Sequence, residues 1–137
     1  MSHPPDAEGV AYTRKLNDWV ANEVVAAYPH RFHAFATLPL GQPEAAADEL
    51  ERSVRDHGFV GCMSYCPIGG RFLDHADFAP VLARAAHLGV PIYIHPNWPS
   101  PRVSEAYRDG LDDALVGRIL GGRAMAGTKR SHSSACA

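Results

Sequence analysis

Apolar residues recur along this chain at two alternating spacings, and these spacings predict its helices and strands. Gaps of three and four place side chains on one face of a helix, whereas a short alternating or apolar run bounded by turn residues is typical of a strand. Pro43, Gly58 and Gly89 stand where proline and glycine begin and end helices. The predicted elements are helix 7–28, strand 31–39, helix 43–57, strand 59–64, helix 76–88, strand 90–95 and helix 104–120.

The first three helices are each predicted to bury one apolar stripe. In the first helix the polar residues Asn17 and Asp18 fall away from that stripe on the helical wheel. The strand 59–64 is nearly all apolar, which predicts that both of its faces are covered. The stripes are Val10, Leu16, Val20, Val24 and Ala27 in the first helix, Ala46, Leu50 and Val54 in the second, and Phe78, Leu82 and Ala85 in the third.

The order of the elements predicts an α/β fold. A helix is followed by a strand–helix pair three times over, which favours parallel strands joined by right-handed crossovers. The alternation fits both an open sheet and a closed barrel. A Gly-x-Gly-x-x-Gly motif and a P-loop lysine are both missing, so nucleotide binding has little support.

Composition narrows the class of protein. With 137 residues, 46% hydrophobic and 20% charged, the chain is of globular type and suits one domain. A net charge of −2 offers no basic surface for nucleic acid or membrane. We predict no signal peptide and no apolar run near the ~18 residues that span a bilayer. Three cysteines without CxxC spacing indicate neither a disulfide framework nor a zinc knuckle, so a cytoplasmic location is expected.

His95 is the candidate functional residue that the pattern singles out. Side chains alternate across a strand, so Tyr93 and His95 share one face while Ile92 and Ile94 share the other. Pro96 cannot donate to a ladder, so the strand is expected to end at the imidazole. The carboxyl ends of parallel strands are where α/β proteins hold ligands and metals. A half-buried histidine bonded to a neighbouring carbonyl is the alternative.

A set of short segments occurs together, in order and at the spacing of a known family. The set resembles the amidohydrolase-2 family, which includes metal-dependent decarboxylases of the aminocarboxymuconate-semialdehyde type and of the γ-resorcylate or 2,3-dihydroxybenzoate type. The resemblance covers about residues 7–120. The segments are Asn17-Asp-Trp, Pro29-His-Arg-Phe32, Leu38-Pro39, Pro43-Glu-Ala-Ala46, Glu49-Leu50-Glu51, Gly58-Phe-Val-Gly61, Gly70-Arg-Phe-Leu-Asp74 and Tyr93-Ile-His-Pro96.

The resemblance implies a distorted (β/α)8 TIM barrel carrying one divalent metal, usually zinc or manganese. It also implies a small aromatic or unsaturated carboxylic acid as substrate. Whether the chain forms a homo-oligomer is left open by the resemblance. Of the family's metal ligands, the histidine on a middle strand has a counterpart here, His95. Arg71 matches a loop near the active-site mouth and is expected to be structural or to contact substrate indirectly. Trp98 is a candidate for stacking on the substrate, with a loop tryptophan that covers the barrel mouth as the alternative.

The chain departs from the family at both ends. The first strand with its acidic residue and histidine, and the late aspartate, have no counterparts, and a (β/α)8 barrel needs ~250 residues. We therefore expect residues 1–120 to form a partial barrel of about three strand–helix units. Residues 121–137 are small, polar and aperiodic, which predicts a disordered tail. If residues 122–135 are encoded by suitable synonymous codons, the same bases read two positions later encode Gly-Trp-His followed by Glu and Leu-Arg-Leu. This string resembles the next segment of the family. Our hypothesis is therefore that the chain is a frameshifted gene product.

Three functions remain open at this point. The first is a metal-dependent carboxy-lyase or hydrolase represented by an incomplete chain. The second is a non-catalytic barrel fragment that lacks a complete metal site. The third is a small doubly wound binding domain in which His95 is an ordinary core residue.

Overall fold

A computed structural model describes residues 7–96 of the chain. The predicted helix 104–120, Trp98 and the predicted tail 121–137 lie outside these residues. Each predicted element up to residue 96 has a counterpart. The elements are α1 (Ala7–Trp19), a π-helical continuation (Val20–Val25), β1 (Phe35–Thr37), α2 (Pro43–His57), β2 (Gly61–Cys66), a short 3-10 helix (Ala76–Phe78), α3 (Ala79–Leu88) and β3 (Ile92–Pro96).

The three strands form one parallel sheet in the order β1-β2-β3, so the predicted α/β fold with parallel strands is confirmed. The strand bounds differ from those predicted. β1 is much shorter than the predicted 31–39, and β2 begins and ends two residues later than the predicted 59–64. Strand bounds depend on which backbone groups meet a neighbouring strand, and the residue pattern alone does not contain that information.

One face of the sheet packs against α2 and α3, and the hydrophobic core lies between them. Proline in the first turn and a left-handed glycine at the end set the bounds of α2, as predicted: Gly58 has φ 68° and its N–H bonds the carbonyls of Ser53 and Val54. Ala46 and Leu50 of the predicted stripe are fully buried. The buried apolar residues of the core include Ala36, Leu38, Ala46, Ala47, Leu50, Phe59, Cys62, Phe78, Val81 and Ala85.

The buried face of α3 is rotated relative to the prediction. Phe78 and Ala85 are buried as expected, but Val81 is buried in place of Leu82, whose surface is 38% exposed. Both choices satisfy helical spacing with Phe78 and Ala85. The contact with α2 selects the face that presents Val81, because that face meets the core.

The predicted stripe of α1 is at most half-buried, with Val20 packed against the core, and the prediction is wrong about which residues are fully buried. The residues that α1 and its continuation bury are small or polar and four apart: Gly9, Thr13, Asn17 and Ala21. Thr13 donates its hydroxyl proton to the Gly9 carbonyl at 2.8 Å, so its polar atom is satisfied within the helix. Small residues on this face let the helix approach closely, and Asn17 finds hydrogen-bond partners on other elements.

The opposite face of the sheet is open in the described part of the chain. Phe35, Tyr65 and Tyr93 are exposed on this face, and Met63 is half-buried. The prediction that both faces of β2 are covered is therefore wrong for residues 7–96, where helices cover one face. Within the same residues, no helix is both long and apolar enough to cross a bilayer.

Candidate functional site

His95 lies at the carboxyl end of the sheet, next to the end of β2. β2 and β3 pair in parallel with Tyr65 opposite His95 and Cys66 opposite Pro96. The imidazole is half-buried, and its ring centroid lies 4.6 Å from that of Tyr65, with the planes tilted by 45°. Strand pairing therefore brings two rings together at the edge where parallel α/β proteins place their ligands.

Four rings follow one another along the open face of the sheet. Tyr93 lies edge-on to His95 at 6.4 Å, which confirms that the two share a face. Phe35 stacks on Tyr93 with ring centroids 6.1 Å apart. We name Phe35, Tyr93, His95 and Tyr65 the aromatic row. No role was predicted for Phe35 and Tyr65. Strand register brings them close to Tyr93 and His95, and the residue pattern alone does not specify that register.

Arg71 lies in a tight turn beyond the end of β2. The turn is closed by two backbone bonds between Ile68 and Arg71, of 2.9 Å and 3.0 Å, around Gly69 and Gly70. The Arg71 guanidinium forms an ion pair with Asp77, just before α3. This pair ties the loop to the 3-10 helix, which gives Arg71 a structural contact. A substrate contact of Arg71 remains a prediction, and Trp98 lies outside the described residues.

The described residues do not form a complete metal site. A catalytic zinc takes three protein ligands, and within residues 7–96 no three His, Cys, Asp or Glu side chains converge. Cys62 is buried in the core face, where desolvation raises the pKa of its thiol to about 12, so it stays protonated at neutral pH. His95 is the described residue for which the resemblance predicts a metal-ligand role, and this role remains a prediction.

A buried carboxylate, Glu49 of α2, bonds α1, and α1 in turn bonds β1 through Asn17. Its side chain is 1% exposed. Arg52 holds it with two bonds, Nε to Oε2 at 2.9 Å and Nη2 to Oε1 at 2.8 Å. Asn17 donates to Oε1 at 2.7 Å, and Arg14 donates to Oε2 at 3.2 Å. We name Glu49, Arg52, Asn17 and Arg14 the Glu49 network.

Asn17 also completes the outer edge of β1. Its amide nitrogen donates to the Thr37 carbonyl at 2.9 Å, and its amide oxygen accepts from the Thr37 N–H at 3.0 Å. A side-chain amide thus makes the two bonds that a further strand would make at this residue. Neither Asn17 nor Glu49 was predicted to be buried, yet each is 1% exposed. The signal available was their presence in two of the segments shared with the family.

The charges of the Glu49 network stabilise one another. Burial raises the pKa of Glu49, but hydrogen bonds from Arg52 and Asn17 outweigh burial, so the pKa lies below its ordinary value. The pKa of Arg52 is raised, chiefly by its bond to Glu49. Arg52 also bonds Asp18 at 2.7 Å and lowers the pKa of that carboxyl. Glu49, Arg52 and Asp18 are therefore charged at neutral pH.

The amidohydrolase-2 family model, described as "Amidohydrolase", matches residues 8–127. The decarboxylase orsB of Emericella nidulans is 43% identical over 119 residues, which cover 86% of this chain and 35% of that protein. The chain thus spans about a third of the length of this curated relative.

Two solved structures are similar in both fold and sequence. The 2,6-dihydroxybenzoate decarboxylase from Rhizobium superposes with a TM-score of 0.70 at 36% identity, covering 79% of this chain and 35% of that one. The dihydroxybenzoic acid decarboxylase from Polaromonas sp. JS666, with bound manganese and the inhibitor 2-nitroresorcinol, gives a TM-score of 0.68 at 35% identity, covering 80% and 33%. The resemblance in the sequence is confirmed, and the three strands and their helices match a segment of these larger chains. The chain belongs to the amidohydrolase-2 family.

Proposed function

We propose that this chain is part of a metal-dependent decarboxylase that acts on small aromatic carboxylic acids. The observation that carries the proposal is the position of His95 at the carboxyl end of a parallel sheet. This is the edge where barrels of this kind hold their reacting groups. The similarity to aromatic-acid decarboxylases extends over most of the chain, which supports the same substrate class here.

The reaction replaces the carboxylate of an aromatic ring with hydrogen. The bond between the ring carbon and the carboxyl carbon breaks, its electron pair stays on the ring, a proton is added there, and carbon dioxide leaves. We assign His95 the role of a neutral imidazole ligand to a divalent metal, manganese or zinc. Because one imidazole does not make a metal site, the other ligands in this proposal come from outside residues 7–96.

The remaining assignments rest on the sequence. Trp98 would stack on the substrate ring, and Arg71, held by Asp77, would shape the loop at the mouth of the site. Residues 1–120 would form the partial barrel and 121–137 a frameshifted tail. We infer a cytoplasmic protein with no nucleic-acid or membrane partner, from the net charge of −2 and the pattern of three cysteines. Association of like chains belongs to the same proposal.

A second candidate function is a non-catalytic barrel fragment. Two observations favour it: the described residues contain no convergent set of three metal ligands, and the aromatic row lies on an open face. In a closed barrel that face would be interior. In this second candidate function, another polypeptide would cover the face that residues 7–96 leave open.

Metal content and product formation distinguish the two functions. The full chain is purified, dialysed against Mn²⁺ or Zn²⁺, analysed for bound metal, and incubated with 2,6-dihydroxybenzoate while resorcinol is followed by chromatography. The decarboxylase predicts stoichiometric metal and resorcinol, both lost in His95→Gln. His87→Gln, at an exposed histidine of α3, is the matched control and should keep both. No bound metal and no product would favour the fragment.

A further inference from the structure

Among residues 7–96, Tyr65 has the aromatic ring that lies nearest to the His95 ring. The two residues lie directly opposite each other on β2 and β3. Their ring centroids are 4.6 Å apart, whereas the other ring pairs in the aromatic row are 6.1 Å and 6.4 Å apart. Tyr65 is therefore in van der Waals contact range of the imidazole, and Tyr93 reaches it edge-on from two residues earlier on the same strand.

Two rings at different angles restrict how the imidazole can turn. The side chain of His95 has two rotatable bonds, and its second torsion is broad and roughly two-fold. The Tyr65 ring, tilted by 45°, bounds the imidazole from the neighbouring strand, and the Tyr93 ring, at 61°, bounds it along its own strand. Tyr93 is in turn stacked on Phe35, which holds its ring in place.

Tyr65 has little part in the hydrophobic core. Its surface is 45% exposed, and the core face of β2 is formed by Cys62 and Ser64, which are buried. Strand alternation places Tyr65 on the opposite face from those two residues. Within residues 7–96, the contact with His95 is therefore the main packing contact of the Tyr65 ring.

We propose that Tyr65 is a positioning residue that fixes the plane of the His95 imidazole at the carboxyl end of the sheet. A binding or reacting group works best when its neighbours hold it in one rotamer before the ligand arrives. The chemical purpose of this contact rests on the function proposed above. The contact itself can be measured without any activity or bound metal.

The test uses aromatic NMR spectra of the isotopically labelled full chain. Signals of the His95 ring are those missing in His95→Gln. In the wild-type chain we expect nuclear Overhauser effects between the Tyr65 and His95 rings, together with a ring-current shift of the His95 signals. Tyr65→Phe should keep that shift, because it keeps the ring and removes the hydroxyl. Tyr65→Leu should abolish it and broaden or double the His95 signals.

Tyr28→Leu is the matched control, because it makes the same change at an exposed tyrosine outside the aromatic row. The Tyr28 ring packs edge-on against Phe32. It should leave the His95 signals unchanged. The proposal is overturned if Tyr65→Leu also leaves them unchanged, if Tyr65→Phe disturbs them as much as Tyr65→Leu, or if the wild-type chain shows no Tyr65–His95 Overhauser effect. The last measurement decides the case even where Tyr65→Leu fails to fold. Failure of the decarboxylase assay alters none of these signals, so the two proposals fail separately.

Discussion

Replacing Glu49 with glutamine should destabilise the fold more than the same change at an exposed glutamate of α2. Glu49 is 1% exposed and accepts bonds from Arg52, Asn17 and Arg14. Glutamine keeps the shape of the side chain but removes the charge. It also presents an N–H₂ group where one carboxylate oxygen faced an arginine. The Arg52 guanidinium, 21% exposed, is then left with Asp18 as its anionic partner.

The expected loss of stability follows from the burial of the pair. Removing one partner of a buried ion pair costs ~3–5 kcal/mol, and the remaining exposure of Arg52 lowers our expectation to about 2–4 kcal/mol. Folded domains are stable by only ~5–15 kcal/mol, so this is a large share. With an m-value of about 2 kcal/mol per molar, the urea midpoint should fall by about 1–2 M.

Urea unfolding followed by circular dichroism measures this effect, with Glu51→Gln as the matched control. Glu51 is also a glutamate of α2 that pairs with arginines, but its side chain is 32% exposed. Pairs of that kind contribute ~0–1 kcal/mol. If the urea midpoint of Glu49→Gln differs from the wild-type midpoint by no more than that of Glu51→Gln does, the role assigned to the Glu49 network is refuted.

The same variant carries a pH signature. The pKa of Glu49 is lowered from its ordinary 4.5, with the effect of burial outweighed by bonds from Arg52 and Asn17. A folded pKa below the unfolded one means that the ionised carboxylate stabilises the fold above pH ~4.5 and that this contribution is lost as the pH falls through the folded value. The difference in stability between wild type and Glu49→Gln should therefore be constant near neutral pH and shrink below pH ~4.5.

Two further predictions concern packing. Gly61→Ala should destabilise by ~1–3 kcal/mol, because an added Cβ would overlap the Pro91 carbonyl oxygen and lie 2.9 Å from a Phe35 ring carbon. Gly70→Ala is unsuitable as a control, because Gly70 has φ 78°, a conformation that alanine rarely adopts. Ala83→Gly, at an exposed position of α3, is the control and should lower the free energy of unfolding by ~1 kcal/mol. Leu50→Ala should cost ~2–5 kcal/mol by thermal or urea unfolding, and Leu82→Ala clearly less. Equal losses at Leu50 and Leu82 would contradict the helix face that the structure assigns to α3.

Local chemistry explains why the order of elements could be predicted. Pro43 suits a first helical turn, and glycine at 58 and 89 adopts the left-handed conformation that ends a helix, with φ of 68° and 66°. These choices involve neighbours within a few residues. For the same reason, Pro96 and the alternation of Ile92 to Ile94 placed His95 within one residue of the end of β3, which continues to Pro96.

The buried polar residues could not be predicted in the same way. On a helical wheel Asn17 looks like a surface residue, because the wheel contains no information about groups elsewhere in the chain. Its partners are the Thr37 backbone and the Glu49 side chain, which lie 20 and 32 residues away. A polar side chain is stable in the interior when such partners meet it there. Only the packed arrangement of α1, β1 and α2 supplies them.

The sequence by itself determined that this chain is an α/β protein with three parallel strands in its described part and that it belongs to the amidohydrolase-2 family. Short-range propensities and an ordered set of motifs were sufficient for both conclusions. Tertiary structure decided which helix faces are buried and which rings meet. Helical spacing is satisfied equally by Val81 and Leu82, and the contact of Tyr65 with His95 exists only in one strand register. Docking of elements distant in sequence makes those choices, because it determines which surfaces leave water together.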